Sequence, residues 1–220
     1  MNKLRSSLSM SLDGYVAGPN QSVDDPLGIG GEQLHQWLFP LEAFRESHGA
    51  ADGEVNASTP VAEAILGGTG ATVMGRNMFG GGPGGWGEEP WQGWWGEDPP
   101  FHHPVFVLTR HAREPLELQG GTTFHFVTDG IESALEKARA AARGKDVSLG
   151  GGANVVQQYL AAGLLDELTI SLVPIFLGGG TRLFENLGDP VPELDQVEAI
   201  DAPGVTHVRF VKTRKATPIR

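Results

Sequence analysis

The chain has 220 residues, no cysteine and a formal net charge of −11, from 27 acidic against 16 basic residues. That length can bury a core of its own, while disulfides, thiolate metal sites and cysteine nucleophiles are excluded. The acid excess argues against nucleic acid or an anionic membrane as the main partner, and no apolar run is long enough to predict a membrane-spanning helix. The opening stretch MNKLRSSLSMSLDG lacks the apolar core of a signal peptide, so a cytoplasmic protein is expected.

Arg5 to Leu12 alternates loosely and predicts a strand, stopped by Asp13-Gly14. Residues 18–31, rich in Gly, Pro and Asp, predict a loop. Glu32 to Glu46 sets Leu34, Leu38, Leu41 and Phe44 at roughly helical spacing, with Pro40 as a kink or break. Thr59 to Leu66 predicts a short helix, capped by Ser58 or Thr59, with Pro60 in its first turn and Gly67 as its stop. Ala71 to Met74 predicts a buried strand, and residues 80–104 a long loop rich in Gly, Pro and Trp. Strands follow at Val105–Leu108 and Phe124–Val127. Asp129 is the expected cap of a helix from Ile131 to Arg143. Strand Val147–Leu149, helix Ala153–Ala162 and strand-like Leu168–Leu177 complete the alternation. Val197–Ile200 and Val205–Val211 predict a closing antiparallel pair. Strands alternating with helices imply an α/β fold with a central, mainly parallel sheet. No linker divides the chain, so one domain spanning 1–220 is expected, with its core at about 4–212.

Three glycines, Gly150 to Gly152, stand where a strand becomes a helix. Free N–H groups and the positive end of the helix dipole converge at such a place, and glycine lets an anion approach the main chain. A tight turn with unusual dihedrals would explain the glycines equally well. The spacing matches neither GxGxxG nor the P-loop. Two more strand ends carry groups suited to phosphate: TVMGRNMF, residues 72–79, and VFVLTR, residues 105–110. Ligands of α/β sheets bind outside the carboxyl ends of the strands.

The ordered set SLDGYVAG, VMGRNMF, VFVLTR, VSLGGGANVVQQYL and DELTISLVPIFLGGGTRLF resembles the dihydrofolate reductase-like superfamily. It is most similar there to the reductase domain of the riboflavin-biosynthesis deaminase-reductase and its stand-alone bacterial relatives, from about Leu4 to Phe210. The resemblance implies a three-layer fold with a mainly parallel sheet and antiparallel C-terminal strands. It also implies NADPH as cofactor and a small-molecule substrate. By similarity Gly75, Arg76, Asn77 and Met78 lie beside the cofactor phosphates. Thr109 and Arg110 match the strand end that reads the adenosine 2′-phosphate, and Thr128 lies toward the adenine. Gly150, Gly151, Gly152, Ala153, Asn154 and Val155 match the turn that takes the pyrophosphate. Val16, Ala17 and Gly18 lie near the nicotinamide. Asp13 and Glu32 are the catalytic candidates, as groups that could order the water supplying a proton, with His35 one turn beyond Glu32. The implied activity is that of a 5-amino-6-(5-phosphoribosylamino)uracil reductase or a dihydrofolate reductase: hydride transfer to a flat, pterin- or pyrimidine-like ring.

Two positions depart from the riboflavin-pathway pattern. Ser7 stands where those enzymes carry a lysine, and Leu149 where they carry a glutamate. Both changes remove polar groups expected to hold a ribosylaminopyrimidine phosphate. A non-catalytic module binding a pterin- or flavin-like ligand, or a reductase of a flavin or deazaflavin, are therefore alternative readings. The stretch PWQGWWGEDPPFHHP predicts either a lid over the substrate or a packing surface, such as the interface of a homodimer. His102-His103 lacks the spacing of a metal site, and no metal is expected. The second triple glycine, in FLGGGTRLF, is expected to be a structural turn.

Overall fold

A computed structural model describes residues 2–213 apart from 83 and 89. Eleven strands and five short α-helices are present among them. β1 (Leu4–Ser11), β3 (Thr69–Gly75), β4 (Pro104–Leu108), β6 (Thr123–Val127), β7 (Asp146–Gly151) and β8 (Glu167–Val173) run parallel in the order β8-β1-β7-β3-β4-β6. β11 (Val205–Lys212) adds antiparallel to β8, β10 (Leu194–Ala202) pairs antiparallel with β11, and β5 (Leu116–Glu117) closes the other edge antiparallel to β6. The expected parallel sheet with a C-terminal antiparallel pair is thus present. β7 enters between β1 and β3, so its C-terminal turn opens at a switch of strand order, where a ligand crevice is expected.

Helix α4 (Ile131–Ala141) and α5 (Ala153–Ala161) cover one face. Leu4, Val73, Val147, Leu149, Leu168 and Ile170 bury against Leu135, Val156 and Tyr159 there. Each such side chain contributes about 1.5–3 kcal/mol on leaving water. The other face carries α1 (Glu42–Ser47) and α2 (Thr59–Leu66), which close over Leu34, Trp37, Leu41 and Val205. Beyond them α3 (Arg76–Phe79) and the tryptophan-rich loop cover Met74, Val105, Val107 and Phe124. Among the described residues no helix is long and apolar enough to cross a membrane.

Several expected elements differ. The helix over Glu32–Glu46 is broken into a 3-10 turn, Gly31–His35, and the separate α1. Gly30, at φ 76°, starts that turn, and Pro40 cannot donate the amide that a continuous helix needs. Asp129 does not cap α4. Its carboxylate accepts from Ser133 Oγ (2.8 Å) and Lys137 Nζ (3.1 Å), and Gly130 occupies the cap position at φ 99°. Ser58 precedes α2, but its hydroxyl does not cap the helix amides, because it meets His207 Nε2 at 2.9 Å. The sequence reading also missed β2 (Tyr15–Ala17) and β9 (Thr181–Arg182), an antiparallel ribbon that ties the end of β1 to the second triple glycine. At Gly180 (φ 120°) a Cβ would lie 2.1 Å from the carbonyl oxygen of Ala17, so this turn demands glycine.

Candidate functional site

A cleft of about 1420 Å³ runs along the carboxyl ends of the parallel strands and down the sheet face between α2 and the tryptophan-rich loop. It gathers residues far apart in sequence: Gly75 and Arg76 after β3, Thr109 and Arg110 after β4, Thr128 after β6, and Gly150, Gly152, Ala153, Asn154 and Val155 after β7. Asn77, Met78, Val16 and Ala17 complete this wall.

The glycines act in different ways. At Gly75 a Cβ would come within 2.6 Å of Val155 Cγ2, so glycine brings the ends of β3 and β7 together. Gly151 sits at φ 116°, a conformation other residues avoid, and faces Leu8 rather than the cleft. At Gly150 a Cβ would crowd Met78 at 3.1 Å. At Gly152 a Cβ would meet nothing within 4 Å, because the position opens into the cleft. Gly152 is also the residue before α5. Its carbonyl accepts the amides of Val155 and Val156, while its own amide and those of Ala153 and Asn154 find no backbone acceptor among the described residues. The result is a bare cradle of donors at a helix N-terminus, suited to an anion.

Arg76 has two roles in the geometry. Its Nε and Nη2 donate to the carbonyls of Gly80 (2.9 Å) and Gly81 (3.1 Å), and the guanidinium lies 3.3 Å above the Trp86 ring. Its Nη1 is buried with no acceptor among the described residues. An unanswered buried donor costs about 1–3 kcal/mol, a cost that a bound anion would remove. Arg110 is exposed at the mouth of the cleft and forms no ion pair among the described residues. The donor set therefore fits a phosphorylated dinucleotide. Gly18 does not line the cleft. It lies under the 27–29 loop, where a Cβ would stand 2.1 Å from the Ile29 carbonyl oxygen.

Both expected catalytic acids are redirected. The Asp13 carboxylate accepts from Ser11 Oγ (2.6 Å) and from the amides of Gly178 (2.8 Å) and Leu177 (3.2 Å). The Ser11 hydroxyl, followed by those amides, holds it below the usual carboxylate range. It is thus kept ionised, as a brace for the second glycine turn and not as a proton source. Asp13→Asn is expected to lower the thermal midpoint modestly and to leave the pH profile of any turnover unchanged. A shifted acid limb would restore Asp13 as a proton donor. Glu32 is exposed and lies outside the cleft, whereas His35, three residues on, lines it. His35 Nδ1 is buried without a hydrogen-bond partner among the described residues, and burial holds the imidazole below the ordinary histidine range. The sequence reading had named His35 only by its distance from Glu32.

The tryptophan-rich loop is both packing surface and cleft wall. The indole N–H groups of Trp91, Trp94 and Trp86 donate to the carbonyls of Phe79 (2.8 Å), Met78 (2.9 Å) and His111 (2.9 Å). Trp95 stacks on Phe124 at 5.9 Å, and Trp94 and Trp95 border the cleft. The two histidines serve different partners: His103 Nε2 meets Thr72 Oγ1 (2.8 Å), and His102 Nδ1 meets the Gly120 carbonyl (2.9 Å).

Comparison with known proteins agrees with this architecture. The chain is 37% identical over 59 residues to the uncharacterised protein YyaP of Bacillus subtilis (strain 168), a stretch covering 27% of this chain and 31% of YyaP. Its fold is similar to that of a putative riboflavin biosynthesis protein from Shewanella sp. PV-4, with TM-score 0.61 and 22% identity over 96% of this chain and 99% of that one. It is similar also to the diaminohydroxyphosphoribosylaminopyrimidine deaminase/5-amino-6-(5-phosphoribosylamino)uracil reductase of Thermotoga maritima (TM-score 0.56, 14% identity, 96% of this chain and 57% of that one). Dihydrofolate reductase from Enterococcus faecalis, complexed with NADP(H), matches with TM-score 0.50 and 14% identity over 96% and 97% of the two chains. At these identities the likeness is one of fold, the dihydrofolate reductase-like fold. A family model described as the RibD C-terminal domain matches residues 2–208, and the chain belongs to that family.

Proposed function

We propose that this protein is an NADPH-dependent oxidoreductase that reduces a small, flat heteroaromatic substrate of pterin or pyrimidine type. The observation that carries the reading is the open position at Gly152, with three amides at the start of α5 that have no backbone acceptor among the described residues, and with Arg76 and Arg110 among the residues lining the same cleft. The amides of Gly152, Ala153 and Asn154 would hold the pyrophosphate, Arg110 and Thr109 the 2′-phosphate, and Val16 and Ala17 would flank the nicotinamide. When bound, the cofactor supplies the hydride. The chain positions the two rings and keeps the site dry. Trp37, Trp94 and Trp95 border the substrate end and exclude water. His35, neutral at pH 7, offers a ring nitrogen to the substrate without adding charge. The proton comes from solvent.

Calorimetric titration with NADPH and NADH tests the proposal. Wild-type protein is expected to bind NADPH the more tightly. Arg110→Glu removes charge-assisted bonds worth about 1.5–3 kcal/mol, so NADPH should weaken by about 10–100-fold. NADH, lacking the 2′-phosphate, should change by less than about threefold. Absence of heat with NADPH overturns the reading.

A further inference from the structure

The sheet face below the proposed nicotinamide position is polar where a covered sheet face is ordinarily apolar. Strand register builds it from six strands. Thr72, Ser148, Arg5 and Glu167 are successive cross-strand partners on β3, β7, β1 and β8. Ser7, Thr169, Arg209 and Glu198 continue the face two residues along, across β1, β8, β11 and β10. All eight border the cleft. Strands lie about 4.8 Å apart, so the face offers polar groups at nearly regular intervals. The hydroxyls of Ser7, Ser148 and Thr169 have no hydrogen-bond partner among the described residues and can each donate or accept.

The charged members, by contrast, are paired. Arg209 Nε meets Glu198 at 2.9 Å and its Nη1 meets Glu167 at 3.6 Å. Arg5 Nε meets Asp146 at 3.2 Å, and Lys3 also reaches Glu167 at 3.3 Å. Two guanidiniums and two carboxylates border this end, so their formal charges cancel. A phosphate brought here would compete with carboxylates for each guanidinium and face Glu167 and Glu198 directly. We infer that the floor of Ser7, Ser148 and Thr169 selects an uncharged, hydrogen-bonding substrate and rejects its phosphorylated form. The inference rests on the reductase reading only for which end of the cleft the cofactor takes.

The test uses two ligand pairs that differ by a phosphate: riboflavin with flavin mononucleotide, and uridine with uridine 5′-monophosphate. Each is titrated against the full chain saturated with NADP⁺, by flavin fluorescence or by quenching of the cleft tryptophans. The uncharged member of at least one pair is expected to bind ten times or more tighter than its phosphate. Ser7→Lys, which sets an ammonium on the floor, should shift that ratio at least tenfold toward the phosphate, with retained NADP⁺ binding reporting an intact fold. Equal or tighter binding of the phosphorylated members by the wild type overturns the inference, as does failure of both uncharged members to bind. Should NADP⁺ itself fail to bind, the cofactor reading fails separately. The same pairs, titrated without it, still decide the selectivity, and circular dichroism then reports the fold of the variant.

Discussion

Gly152→Asp is expected to weaken NADPH binding by at least about 100-fold while leaving the thermal midpoint unchanged or slightly raised. Gly152 has φ −76° and ψ −171°, an extended conformation open to any residue, and its Cβ direction is empty. Aspartate before the first turn of α5 can accept from the orphan amides, which stabilises a helix by a few tenths of a kcal/mol relative to glycine. Those are the amides proposed to hold the pyrophosphate. The substitution therefore consumes the donors and adds a negative charge in their place. Calorimetry gives the affinity and differential scanning fluorimetry the midpoint. Unchanged NADPH binding in a folded variant would remove the glycine turn from the site, whatever cofactor the protein uses.

Acidification from pH 7 to pH 4 is expected to cost about 3 kcal/mol of stability through His207 alone, or roughly 10 °C in the thermal midpoint. His207 is 2% exposed. Its Nδ1 meets Ser171 Oγ at 2.8 Å, its Nε2 meets Ser58 Oγ at 2.9 Å, and its ring lies 4.6 Å from Trp37. Burial lowers its pKa to about 4 from the ordinary 6.5. Between those values the unfolded chain binds a proton that the folded chain refuses. The contribution is thus fully present above pH 6.5 and is lost progressively as the pH falls toward 4. Burial lowers His35 and His103 as well, so they add to the same trend. Thermal melts across this range should show a shallower slope for His207→Gln than for the wild type. Identical slopes would mean that His207 titrates normally.

Much of the architecture was legible in the order of residues. Short apolar stretches predicted β3, β4, β6 and β7 within a residue or two, because buried parallel strands leave that trace locally. The 3.6-residue spacing in α4 and α5 was equally local. β2, β9 and β5 were missed because strands of two or three residues carry too little periodicity to register. The tryptophan-rich loop left two readings open, since composition does not say which carbonyls the indoles will find.

By itself, then, the sequence determined the succession of the longer parallel strands and of α4 and α5, the strand–glycine–helix junction at 147–155 and the family, since each is written in neighbouring residues. Tertiary structure alone decided which side chains face the cleft. Asp13 turned to amides 164 and 165 residues away, and Arg76 found Trp86 and the carbonyls of the loop between them. Glu32 was left in solvent while His35 came to line the cleft. The polar floor exists only through the register of six strands drawn from residues 5–209. The physical reason is that hydrogen bonding, charge pairing and burial act over a few ångströms of space, and the chain brings distant residues within that range only once it has folded.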